Sequence, residues 1–232
     1  MNTNRLLFAL LPLALLLFTG CDGTSNVEET PPLEATVVAD LPADPATRID
    51  PQTGRPTGTG RYTLFSLREN RIVLGSDEEN RADSASTAWD IGFQSTNLIF
   101  NGGTSGPGEG AAVLIEDVFE NVLTAPEDAA FRVDGSAECP SVFGQPGPKM
   151  AVCPGSGNGW YNYDSQTNVV TPIPGRTIVV RTADGRYAKL RILSYYKGNP
   201  DPGAIDPAAN PSRYYTFEYV FQPDGSRDLS TN

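Results

Sequence analysis

The 232-residue chain contains no histidine. That absence removes Ser-His-Asp and Cys-His nucleophilic catalysis, the His-Glu-x-x-His metalloprotease site and every imidazole ligand to zinc, copper or haem iron. Carboxylate pairs of the kind glycosidases use stay open, but such a pair has no signature until a fold brings its members together. Cysteine is scarce, at three residues, and no CxxC pair exists to nucleate a zinc site. Cations are outnumbered, with 17 Lys and Arg against 28 Asp and Glu. The Lys/Arg stripes that nucleic acid or anionic headgroups require are missing, so neither is an expected partner. After residue 18 no run is apolar enough to cross a bilayer.

The start of the chain is different. Met1 to Arg5 carry one positive charge, an apolar stretch follows from Leu6 to Phe18, and Thr19-Gly20-Cys21 comes next. The apolar stretch is too short to span, since a helix rising about 1.5 Å per residue needs roughly 20 residues. Together these features read as a secretory signal peptide over residues 1–20 that is removed after export. Cys21 directly after Thr-Gly resembles the lipobox of bacterial lipoproteins, with Phe18 where leucine is usual; the alternative is an ordinary signal peptide followed by an incidental cysteine. A diacylglycerol on Cys21 would anchor the protein, because each buried CH₂ contributes about 0.8 kcal/mol. Cleavage removes Arg5 and no acid, leaving 16 basic and 28 acidic residues, a net charge of −12.

Assigning Cys21 to lipid leaves Cys139 and Cys153. In an oxidising compartment these can pair, and a bridge closing a loop of about 15 residues contributes roughly 3 kcal/mol on the chain-entropy model. Two separate buried thiols are the alternative.

Residues 21–60 are rich in proline, threonine and acid and lack a sustained apolar period, which predicts an extended tether. Within it, Ala35-Thr36-Val37-Val38 is alternatively a short strand docked on the folded part. Residues 61–232 have the size of one domain and carry recurring short β-type runs: Tyr62–Leu67, Ile72–Leu74, Trp89–Phe93, Asn97–Phe100 and Ala111–Ile115. Thr177–Arg181 and Arg186–Tyr196 flank the turn Thr182-Ala183-Asp184-Gly185, a hairpin pattern. Tyr215, Phe217, Tyr219 and Phe221 alternate and share one strand face, expected to be core. Glu116–Ala125 alone reads as a helix, stopped by Pro126. The fold class expected is a single antiparallel all-β domain with at most one short helix. The glycine-rich run Asn101–Gly110 lacks the Gly-Lys-Ser/Thr ending of a phosphate loop, and Asp201–Pro211 lacks the ligand spacing of a calcium loop, so both read as surface loops.

Four strings carry a resemblance: Trp89-Asp90-Ile91-Gly92-Phe93, the glycine-rich Asn101–Gly110, Gly159-Trp160-Tyr161-Asn162-Tyr163, and Val180-Arg181-Thr182-Ala183-Asp184-Gly185-Arg186-Tyr187-Ala188-Lys189. With Tyr214–Tyr219 at the end and the lipobox at the start, their order resembles the HmuY family of haem-binding bacterial lipoproteins, from about Tyr62 to Gln222. The resemblance implies an all-β fold, a location at the outer membrane or cell surface, and a binding protein rather than an enzyme. It further implies capture of haem or a related porphyrin by two axial side chains and delivery to an outer-membrane transport receptor.

In the family's best-known form both axial ligands are histidines, one in the loop before the Gly-Trp strand and one just after it. This chain has neither. The first loop corresponds to Cys139–Asn158 and contains Met150, a candidate thioether ligand. The second corresponds to Asp164–Val169, where Ser165, Gln166, Thr167 and Asn168 are weak ligands for iron. Met150 with a tyrosinate from Tyr161 or Tyr163 is the pairing the sequence offers; both tyrosines also suit strand packing. The alternative function is a surface lipoprotein of the same fold that binds a different ligand or a protein and no haem.

Overall fold

A computed structural model describes residues 32–52, 56–136, 138–141, 145–206 and 208–231. The expected signal segment and Cys21 lie outside these residues. The strands are β1 (Thr36–Pro42), β2 (Arg48–Ile49), β3 (Pro56–Thr57), β4 (Thr63–Ser66), β5 (Arg71–Leu74), β6 (Ile91–Gln94), β7 (Asn97–Phe100), β8 (Ala111–Ile115), β9 (Tyr161–Asp164), β10 (Val169–Pro172), β11 (Thr177–Arg181), β12 (Tyr187–Tyr196) and β13 (Ser212–Gln222). Among the described residues the only helical pieces are short 3₁₀ turns. None is long and apolar enough to cross a membrane.

Two larger antiparallel sheets, one of five strands in the order β1-β13-β12-β11-β8 and one of four in the order β5-β4-β6-β7, are accompanied by the two-stranded pairs β9–β10 and β2–β3. Their apolar faces meet in an aromatic core. Tyr215, Phe217 and Tyr219, alternating along β13, point into it as the two-residue period requires. Phe93 lies 5.2 Å from Phe217 in a stack and 5.0 Å from Tyr215 edge-on, while Phe65 meets Phe217 edge-on at 5.6 Å. Trp160 closes one end, 5.2 Å from Tyr215, and its indole N–H donates to the Thr96 carbonyl at 3.0 Å. Such ring pairs add about 0.5–1.5 kcal/mol each beyond the area they bury.

Asp90 ties the sheets together. Fully buried, it accepts the amide of Leu67, just after β4, at 2.8 Å and the amide of Ala183, in the β11–β12 turn, at 3.0 Å. The glycine-rich run is a closed loop rather than an open cradle: buried Asn101 donates to the carbonyls of Ser86 and Trp89 and accepts from the Gly108 amide, and Gly102 bridges Glu109.

Two segments depart from simple pattern reading. The helix expected over Glu116–Ala125 is absent; only Phe119–Asn121 makes a 3₁₀ turn, and Val118 and Leu123 are exposed. The reason is tertiary. The buried Lys189 ammonium donates to the carbonyls of Phe119 and Val122 at 3.0 and 2.9 Å, the Leu123 carbonyl accepts from Leu229, and the Ala125 amide donates to Arg227. Of these groups, the Phe119 carbonyl and the Ala125 amide would have closed turns of that helix, and their partners lie elsewhere in the fold. Earlier in the chain, Ala35–Val38 takes the docked alternative: β1 pairs antiparallel with β13, Thr36 opposite Tyr219 and Pro42 opposite Tyr214. The hairpin β2–β3 also precedes residue 60.

Candidate functional site

A groove of about 1010 Å³ opens where β12 ends and β13 begins. Its geometry starts from a backbone irregularity. The register of β12 against β13 shifts between Ile192 and Ser194 and again between Ser194 and Tyr196, while the ladder stays paired to Tyr196 opposite Ser212 and the Lys197 amide donates to the Pro211 carbonyl at 3.0 Å. Bulges of this kind re-aim side chains. Here they present Tyr195 and Tyr196 as neighbours on the groove wall. The hairpin β9–β10 supplies a second wall through Tyr163, Thr167, Asn168, Val169 and Val170. Pro45, Ala46, Ile49 and Pro56, around β2–β3, form a third, and Ile205 with residues 210–214 completes the rim.

The polar groups of the groove are mostly spoken for. The Tyr196 hydroxyl accepts the Val170 amide at 3.0 Å, holding β10 against β12, and Tyr195 shares a 3.3 Å hydrogen bond with Ser95. Burial pushes both phenols up from their ordinary value, so both stay protonated. Tyr163 is 45% exposed and donates to Asn168 Oδ1 at 2.7 Å across the hairpin. Asn168 has a positive φ of 58°, the left-handed conformation that a tight β9–β10 turn requires and that asparagine tolerates.

Among the described lining residues there is no aspartate or glutamate and one cation, Arg213. Its guanidinium donates to the Asp44 carbonyl at 3.0 Å and the Pro56 carbonyl at 2.7 Å, buckling the β2–β3 segment into place. The nearby Asp44 carboxylate is occupied elsewhere, by the amides of Thr59 and Gly60 and the Thr59 hydroxyl.

The sequence-derived candidates do not converge. Tyr163 lines the groove. Tyr161 is buried, 5.0 Å from Trp160 in the core, and its hydroxyl accepts the Gly155 amide at 3.2 Å. Met150 is not among the lining residues; its carbonyl accepts from Arg132 at 3.1 Å, and the next amide, of Ala151, donates to buried Asp134 at 2.8 Å. Cys139 and Cys153 form a disulfide with Cα atoms 5.4 Å apart, closing the loop that carries Met150. Sequence reading missed Arg213, Tyr195 and Tyr196. The one available signal was that Arg213 is the sole cation between Lys197 and Tyr219.

No curated protein matches the chain. Solved structures that resemble it include the apo HmuY analogue of Tannerella forsythia (14% identity, 82% of this chain and 96% of that one, TM-score 0.43). Apo PinO of Porphyromonas gingivitis (14%, 83% and 98%, TM-score 0.43) and a HmuY-like protein of Bacteroides vulgatus (18%, 76% and 96%, TM-score 0.42) are similar to a comparable degree. Residues 59–219, the greater part of the chain, match the family described as HmuY protein, and with both antiparallel sheets falling largely within them, the chain belongs to the HmuY family.

Proposed function

We propose that this protein is a lipid-anchored surface protein that binds haem or a related porphyrin in the groove at the β12–β13 opening, without imidazole ligation, and passes it to an outer-membrane transport receptor. The observation that carries the reading is the groove itself. At about 1010 Å³ it suits a ligand of porphyrin size, its walls are tyrosine and aliphatic, and it is free of acid on a chain of net charge −11. Haem carries carboxylates, and elsewhere the surface would repel it. Export by residues 1–20, lipid on Cys21 and a tether after it belong to the same proposal.

Of the three candidate iron ligands, Tyr163 has the best position. Phenolate is an established haem ligand, and Tyr163 would reach iron by giving up the proton it now places on Asn168. Tyr161 would first have to leave its packed, hydrogen-bonded setting, and Met150 does not line the groove.

Titration of the purified full-length chain with haemin tests the reading. Saturable binding with a spectrum unlike the low-spin form of two imidazoles is expected, and Tyr163→Phe should alter that spectrum while Met150→Ala leaves it unchanged. The opposite pattern would transfer ligation to the disulfide loop. Absence of any binding would leave the fold and move the function to a different ligand.

A further inference from the structure

Arg213 is the one cation among the described residues that line the groove. Arg68, Arg71, Arg176, Arg181, Arg186, Arg191, Arg227 and Lys149 each have a carboxylate within 4 Å. Arg213 has none among the described residues, a lack it shares with Arg61, Arg81, Lys189 and Lys197, none of which lines the groove. Its partners are two backbone carbonyls, at 3.0 and 2.7 Å, and the Tyr195 side chain, neutral groups that orient the guanidinium without cancelling its charge. The residue also holds a φ of +69°, a left-handed conformation that costs a non-glycine residue about 1–2 kcal/mol, and its own carbonyl accepts the Ala43 amide at 2.8 Å. Strain of this kind persists where the surroundings over-determine it, commonly at ligand clamps. The charge is half-buried against aromatic walls, where a charge-assisted, two-pronged hydrogen bond to a carboxylate is stronger than in water.

We infer that Arg213 is the carboxylate receptor of the groove and selects planar aromatic ligands that carry an acid group over neutral ones of the same shape. The inference rests on the porphyrin reading above and adds the residue that sets ligand charge. The guanidinium fork suits a carboxylate bidentately, and lysine would supply charge without that geometry.

The test uses free-base protoporphyrin IX and its dimethyl ester, which differ in the two acid groups and lack iron, so axial ligation contributes to neither. With the full-length protein the acid should bind at least roughly ten-fold more tightly than the ester, the scale of one charge-assisted hydrogen bond. Arg213→Gln should abolish that ratio by weakening the acid alone, and Arg213→Lys should restore part of it. Lys197, which stands 5.3 Å over the Tyr214 ring and does not line the groove, provides the control: Lys197→Gln should keep the ratio. If Arg213 only buckles the wall, Arg213→Gln weakens acid and ester equally and the inference fails. Equal affinity of the wild type for both ligands also overturns it while leaving porphyrin binding intact. Binding of neither ligand overturns the porphyrin reading and the inference together.

Discussion

Replacing Asp90 by alanine should cost about 3 kcal/mol of folding stability, and the figure follows from counting donors. The carboxylate is the sole acceptor shown for the side-chain-directed amides of Leu67 and Ala183, at 2.8 and 3.0 Å, one beside each sheet. Asp90 is fully buried, so water does not take over. Each orphaned buried amide costs about 1–3 kcal/mol, giving roughly 2–6 kcal/mol in all, and losing the carboxylate's own desolvation penalty offsets part of it. Asp90→Asn retains one acceptor and should lose about half as much. Domains of this size are stable by about 5–15 kcal/mol, so either loss is easily read as a lower urea midpoint at unchanged slope. The pH dependence has a definite sign. Burial pushes the Asp90 carboxyl above its ordinary value, against the pull of the two amides. The folded state therefore holds the proton more tightly than the unfolded one. The resulting stabilisation is fully present below the ordinary carboxylate value and is lost as pH rises through the folded value. The stability gap between wild type and Asp90→Asn should widen on acidification from neutral pH through that window. An alanine variant within about 0.5 kcal/mol of wild type, well under the cost of even one orphaned amide, or a gap that narrows on acidification, would refute the account.

Two further outcomes are expected. Reducing the Cys139–Cys153 bridge, or replacing both cysteines by serine, should lower stability by about 3 kcal/mol, since the bridge closes a loop with a sequence separation of 14; thermal unfolding indifferent to reductant would count against it. Cys21→Ser should shift the protein out of the membrane fraction or leave it unprocessed, and unchanged fractionation would remove the anchor.

How much of this was legible in the sequence depends on where each interaction partner sits. Strands β8 and β11 coincide with the runs Ala111–Ile115 and Thr177–Arg181, because a β-branched run between turn residues reports a buried strand locally. The aromatic face of β13 was equally plain, since alternation is a property of the strand alone. The helix over Glu116–Ala125 failed because its carbonyls are claimed by Lys189, some 70 positions away, and no local period records a distant donor. Residues 44–52 and 56–57 depart from the expected tether for the same reason. Their proline-rich composition buries little, yet Arg213 reaches back 169 positions to Asp44 and 157 to Pro56 and makes them a groove wall. A tether and a groove wall can share one composition, and the difference lies in hydrogen bonds from residues far along the chain. The missing histidines tell the same story from the other side. Sequence alone excludes imidazole ligation, but that Tyr163 of the β9–β10 hairpin and Arg213 of β13 line one groove shows only in the tertiary structure. Charge and phenol there come from segments 50 residues apart, so neither segment by itself reports the groove they share.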